Sequence, residues 1–207
     1  VSIVTRKVQT TRARVRGIAI EGGSQIIFVD TPGIFEPKRR LDRAMVRAAW
    51  DEAGDADVVT LLADAERGID RDTKRIIDGL KQRRIGVVLI INKIDAVRRD
   101  SLLGLTESLA ETGVFSDIFM ISALNGDGVD DLRSFFASQM PFGPWLFPED
   151  QLSDVPQRLL ASEITREKLF ERVHQELPYA TTVETESWED KRDGSARIDQ
   201  IIYVERD

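Results

Sequence analysis

Cysteine is absent from all 207 residues, which excludes disulfides and thiolate metal sites and fits a reducing compartment. The one histidine, His174, has no acid–base partner set around it in sequence and reads as a surface or packing residue. Long apolar runs are missing too: none approaches the ~20 residues that span a bilayer, and the stretch before Arg6 is too short for a secretory signal. The expectation is an intracellular, cytoplasmic protein.

Positive charge is in short supply, with 29 Lys and Arg against 36 Asp and Glu, a net charge of −7. The deficit lies in residues 149–207, where 15 acids face 8 bases; residues 1–148 balance at 21 of each. An acidic chain lacks the footprint of a general nucleic-acid binder, so DNA is not expected and any RNA contact must be local. The first twenty residues, with Arg6, Lys7, Arg12, Arg14 and Arg16 and no acid, are one local exception.

What is present suits a globular fold: 42% hydrophobic and 31% charged residues, in a chain long enough for one ordinary domain and a small second one. Residues 13–21 alternate as a strand, Gly22-Gly23 makes a turn, and residues 26–30 form a short apolar run, which together predict a hairpin. Residues 41–53 have helical spacing. Three apolar runs follow, at 57–63, 86–91 and 118–121, each leading into a helical pattern, at 71–82, 101–111 and 129–140. Strands buried on both faces, each followed by a helix, imply parallel pairing with right-handed crossovers. The expected fold is α/β, doubly wound, with an antiparallel hairpin at one edge.

The composition changes at residues 141–148, which are rich in proline and aromatics and fit an interdomain linker. Trp145, Phe142 and Phe147 read there as aromatics that seal a core, with a docking patch as the less favoured alternative, and Trp50 as a residue that packs a helix. Beyond the linker, residues 156–177 carry one helical stripe, followed by strand patterns at 180–188 and 197–204. One helix and one hairpin make a very small core for a separate domain. The expected organisation is residues 1–140, a linker at 141–155, and a second, partial unit at 156–207.

Two tetrapeptides carry the chemistry. Asp30-Thr31-Pro32-Gly33 ends an apolar run, and ligands of open α/β sheets bind beyond the carboxyl ends of strands. Asp30 suits magnesium, held through water, and the Gly33 amide suits a γ-phosphate, in a loop that refolds when that phosphate leaves. The bland alternative is a strand followed by a Pro-Gly turn. Asn92-Lys93-Ile94-Asp95 ends another buried run. The Asp95 carboxylate matches the N1–H and 2-amino group of guanine, and adenine offers no such pair of donors. The Lys93 stem suits the nucleotide plane, and Asn92 suits a tie between neighbouring loops. A surface turn is the alternative here, and the position after a buried run weighs against it.

Ser122-Ala123-Leu124, after residues 118–121, offers small residues whose amides can approach a base carbonyl. In Gln9-Thr10-Thr11-Arg12 the Thr11 hydroxyl suits a magnesium shell in the triphosphate state, although the tetrapeptide taken without the other motifs reads better as a plain basic loop. Nowhere does the chain contain G-x-x-x-x-G-K-[ST], the loop that cradles nucleotide phosphates. These 207 residues by themselves are therefore expected to bind nucleotide weakly and turn it over negligibly.

These residues resemble the Era family of bacterial GTPases, relatives of Ras-like G proteins. Residues 7–12, Asp30-Thr31-Pro32-Gly33, Asn92-Lys93-Ile94-Asp95 and Ile121-Ser122-Ala123-Leu124 look like its second to fifth G motifs. Phe147-Pro148-Glu149-Asp150 and residues 161–169 look like its linker and the opening helix of its KH domain, and Glu176-Leu177-Pro178-Tyr179 and Val204-Glu205-Arg206 resemble later segments.

The resemblance implies a P-loop-type G domain that binds GTP or GDP with Mg2+ and hydrolyses GTP. Thr11, Gly33 and Ile34 would flank the reacting phosphate, and Thr11 and Asp30 the metal. It also implies assembly of the small ribosomal subunit, binding to 16S rRNA, and partial, peripheral association with the inner membrane. Ile34 stands where many G proteins have a catalytic glutamine, and an apolar side chain cannot orient water by hydrogen bonding. Intrinsic turnover is therefore expected to be slow, with water positioned by backbone, a cation or a partner. By the same resemblance, the phosphate loop would lie upstream of Val1 and the KH Gly-x-x-Gly loop downstream of Asp207. Two other readings stay open: a degenerate G domain that holds RNA without turnover, and a related tRNA-modification GTPase.

Overall fold

A computed structural model describes residues 15–31, 40–83, 86–172 and 181–204. A hairpin opens it, β1 (Val15–Glu21) and β2 (Ser24–Asp30). Gly22 takes a φ of 57° at the turn, a left-handed value that glycine adopts without strain. The chain divides into two compact units. One takes residues 19–26 and the described part of 34–146; the other takes the open end of the hairpin and the described part of 147–207.

The first unit contains α1 (Arg40–Asp55), β3 (Val59–Asp64), α2 (Arg71–Arg83), β4 (Val87–Asn92), α3 (Arg99–Ala110), β5 (Phe115–Met120) and α4 (Val129–Gln139). β3, β4 and β5 pair in that order, all parallel. Only β4, in the middle, is buried on both faces; Leu62 of β3 and Met120 of β5 are exposed. The expectation of double-sided burial thus fails for the two flanking strands, which have one neighbour each among the described residues. β5 also begins earlier than its apolar run, because Ser116 and Asp117 occupy exposed positions of a flanking strand.

Alternate residues of β4 feed two cores. Ile90 packs with Ile26, Ile121, Leu132 and Phe136, whereas Leu89 and Ile91 pack with Ala63, Ile77 and Leu109. Each fully buried aliphatic side chain contributes ~1.5–3 kcal/mol relative to exposure. This two-faced covering of a parallel sheet is the doubly wound arrangement the sequence suggests.

The closed end of the hairpin is tied into the same unit. Arg133 of α4 pairs with Glu21 at 2.6 Å and donates to the Ile20 carbonyl, and the Ser24 hydroxyl donates to the Ala137 carbonyl at 3.0 Å. Trp145 Nε1 donates to the Gly23 carbonyl at 3.2 Å. Trp145 is nevertheless 41% exposed and Phe142 fully exposed, so these two do not seal a core as the sequence suggested, whereas Phe147 is half-buried. Phe142 lies between Pro141 and Gly143-Pro144, in a stretch without helix or strand to turn the ring inward. Trp50 does pack a helix: its ring sits on Gly79 of α2 with the Arg83 guanidinium 4.1 Å from the ring centroid.

In the second unit residues 151–155 run along the open end of β1. The Ile18 amide donates to the Leu152 carbonyl at 2.9 Å, and the Ser153 hydroxyl to the Arg16 carbonyl at 2.8 Å. α5 (Gln157–Arg172) packs on a hairpin of β6 (Thr181–Asp190) and β7 (Ala196–Val204). Polar contacts link helix and hairpin: Ser162 and Thr185 hydroxyls lie 2.8 Å apart, and Thr165 donates to Gln200. The remainder of the helix expected to reach residue 177, with His174, lies outside the described residues. Among the described residues no helix is long and apolar enough to cross a membrane.

Candidate functional site

Two strand ends stop level with each other, because the parallel register pairs Asp64 of β3 with Asn92 of β4. The loops beyond them are stitched together by hydrogen bonds. The Ala65 amide donates to the Asn92 carbonyl at 2.9 Å, and the Ile121 amide, just past β5, to the Ile91 carbonyl at 2.8 Å. The Asn92 side-chain oxygen accepts two amides, Lys93 at 2.8 Å and Ala123 at 3.0 Å. One side chain thereby joins the loop after β4 to the loop after β5.

Lys93 has φ 67° and ψ 37°, the only non-glycine residue with positive φ among the described residues. That conformation costs about 1 kcal/mol or more for a residue with a Cβ. The Lys93 backbone amide is held by the Asn92 side chain at 2.8 Å, and its ammonium, at the far end of the stem, bonds Asp64 at 2.7 Å. A short 3-10 turn, Ile94–Ala96, follows, anchored by the Ile94 amide on the Ile121 carbonyl at 3.3 Å. Asp95 sits in this turn with its carboxylate exposed to solvent.

The loop after β5 is built around a buried serine. Ser122 is fully buried; its amide donates to the Asp127 carbonyl at 3.0 Å, and its hydroxyl accepts the Asn125 amide at 3.2 Å. Gly128 closes the loop with φ 71°, where a Cβ would lie 2.5 Å from the Met120 carbonyl oxygen. Only glycine permits that approach. Ala123 and Leu124 are left at the loop surface, Leu124 being 85% exposed.

The structure therefore brings Asn92, Lys93, Ile94, Asp95, Ser122, Ala123 and Leu124 into one loop cluster at the carboxyl end of the sheet. Asp30 ends β2 and Thr31 follows it. Thr11, Pro32, Gly33 and Ile34 lie outside the described residues. Among the described residues no three His, Asp or Glu side chains gather as a metal cage. A strand-end carboxylate such as Asp30 fits the way Mg2+ is usually held, by one or two carboxylates with waters and substrate phosphates.

Asp64 was not singled out by the sequence reading. It closes an apolar run as Asp30 does, and that parallel was the available signal. Burial pushes its carboxyl up, but the Lys93 hydrogen bond, the Glu66 amide and the Lys93 charge outweigh burial and hold it below the usual 3.8.

Comparisons with known proteins point to one family. A family model described as "50S ribosome-binding GTPase" matches residues 1–93. GTPase Era of Sinorhizobium medicae is 60% identical over 207 residues, covering 100% of this chain and 67% of the relative. GTPase Era of Rhizobium meliloti is 59% identical over 207 residues, covering 100% of this chain and 66% of the relative. The chain thus spans about two thirds of the length of the curated relatives it matches. Among solved structures, Era in complex with MgGDPNP and nucleotides 1506–1542 of 16S ribosomal RNA superposes with a TM-score of 0.90 at 35% identity, over 99% of this chain and 70% of that one. Aquifex aeolicus Era bound to GDP.AlF4- superposes with a TM-score of 0.90 at 36% identity, over 100% of this chain and 71% of that one.

Proposed function

This chain belongs to the Era family of GTPases, and from that premise we propose that it serves a protein that binds GTP and GDP with magnesium, hydrolyses GTP and binds 16S rRNA during assembly of the small ribosomal subunit. The observation that carries the nucleotide reading is the Asn92 side chain joining two loops beside the exposed Asp95. Asp95 accepts from the N1–H and 2-amino group of guanine. The Lys93 stem lies over the nucleotide plane, Ile94 opens the turn that presents Asp95, and the loop of Ser122, Ala123 and Leu124 meets the base carbonyl.

On the phosphate side, Asp30 and Thr11 would hold magnesium, and Thr31, Pro32, Gly33 and Ile34 are assigned to the γ-phosphate. The metal, when bound, supplies neutralisation of the phosphate charge. Ile34 offers no hydrogen bond to a water, so hydrolysis relies on backbone groups, a cation or a partner for its orientation. Residues 1–140 act as the G domain, 141–155 as the linker and 156–207 as part of a KH-like RNA-binding domain. Contact with the inner membrane, in this reading, is peripheral and from the cytoplasmic side.

The family model's description names the 50S ribosome, but it covers only residues 1–93. The Era structure carrying 16S RNA matches 99% of the chain, which favours the small subunit. The test is calorimetric titration of the full-length protein with GTP and ATP in magnesium, followed by binding to a 3′-terminal 16S RNA fragment. Guanine-selective binding and RNA capture are expected; equal affinity for ATP overturns the base-side assignment. The 207 residues alone, which hold no G-x-x-x-x-G-K-[ST], are expected to bind GTP far more weakly.

A further inference from the structure

We propose that Asp64 is a positioning residue of the base-side site: by holding the Lys93 ammonium it fixes the direction of the lysine stem and so sets the affinity for guanine nucleotides. The inference rests on the nucleotide reading above and deepens it.

Most ion pairs between exposed side chains contribute little, because two flexible groups must be ordered and water screens their charges. Asp64 differs in three respects. Its side chain is only 23% exposed. It ends a strand whose register is locked against β4, directly opposite Asn92. Its other oxygen, Oδ1, already accepts the Glu66 amide at 2.9 Å, so the carboxylate is fixed before Lys93 arrives. The next residue's amide, Ala65, bonds the Asn92 carbonyl at 2.9 Å, which ties the same turn to the end of β4, just before Lys93.

The other side of the pair explains why such a fixed acceptor matters. The Lys93 side chain is half-exposed, and a long lysine stem in water samples many rotamers. The contact from Nζ to Asp64 Oδ2 at 2.7 Å gives it one direction. A stem already pointed along its bound direction loses less freedom when a ligand's plane meets it. Asp64 itself needs no contact with the nucleotide for this role.

The test is a double-mutant cycle in the full-length protein, read by dissociation of a fluorescent guanosine diphosphate. Asp64→Asn keeps the Glu66 contact and the shape while removing the charge; Asp64→Ala removes both. Each is expected to speed dissociation about five- to tenfold with little change in thermal midpoint, and Lys93→Ala to add little on top of Asp64→Ala. A purely structural role for Asp64 would lower the thermal midpoint and add to the Lys93 change. Dissociation unchanged in both Asp64 variants, slower dissociation, or additive effects overturn the assignment while leaving the nucleotide reading intact. No binding by the unaltered protein overturns the nucleotide reading itself, and this inference with it.

Discussion

Asn92 and Ala123, 31 residues apart, are joined by a 3.0 Å hydrogen bond from the alanine amide to the asparagine side chain. The same oxygen takes the Lys93 amide at 2.8 Å, so losing it strands two amides at once. Asn92→Ala is expected to cost about 1–2 kcal/mol in urea denaturation and to weaken guanine nucleotide binding. An unchanged denaturation midpoint would show that the two loops are held by other contacts.

Gly128 and Gly126 make a matched pair for testing close approach. Both have positive φ, 71° and 86°, but a Cβ at Gly128 meets the Met120 carbonyl oxygen at 2.5 Å, whereas Gly126 has nothing within 4 Å. Gly126→Ala should cost about 1 kcal/mol, the conformational penalty alone. Gly128→Ala should cost about 3 kcal/mol or more, since the end of β5 must shift. Equal losses in equilibrium unfolding would contradict the clash.

Gly79 lies inside α2, where alanine ordinarily stabilises a helix by about 1 kcal/mol. Here the added Cβ would come within 2.8 Å of the Trp50 ring carbons. Gly79→Ala is therefore expected to give no gain in thermal midpoint in the native background and to recover the gain when Trp50 is changed to Leu. Stabilisation with Trp50 in place would mean that the indole does not pack as described.

Asp70 accepts the Thr73 amide at 2.8 Å at the start of α2, and that bond, with help from the Thr73 hydroxyl, holds its carboxyl below the usual 3.8. A lowered folded value means the stabilisation is complete above the unfolded pKa and fades as pH falls through the folded one. Asp70→Ala is expected to cost about 1 kcal/mol at neutral pH, with the difference from the native protein shrinking below pH 3.8. A gap that stays constant down to pH 2 in acid-unfolding curves would rule out the charged cap.

The sequence made β4 easy to find because Val87–Ile91 is an unbroken apolar run, and its burial follows from a central place between two helical layers. β5 was harder: Ser116 and Asp117 belong to it, and polar residues on a flanking strand look like loop. The candidate site was legible where consecutive residues carry it, as in Asn92 to Asp95. Asp64 was not, since one carboxylate among many gains meaning only when the register sets it opposite Asn92. Phe142 misled because aromaticity promises burial, while the proline-flanked chain around it leaves the ring in solvent.

Guanine readout by Asp95 is the central claim, and Asp95→Asn in the full-length protein tests it most directly. An amide donates where the carboxylate accepted, so preference should move from guanosine to xanthosine diphosphate, measured by competition for one fluorescent nucleotide. Retention of guanine preference over xanthine would contradict the assignment of Asp95.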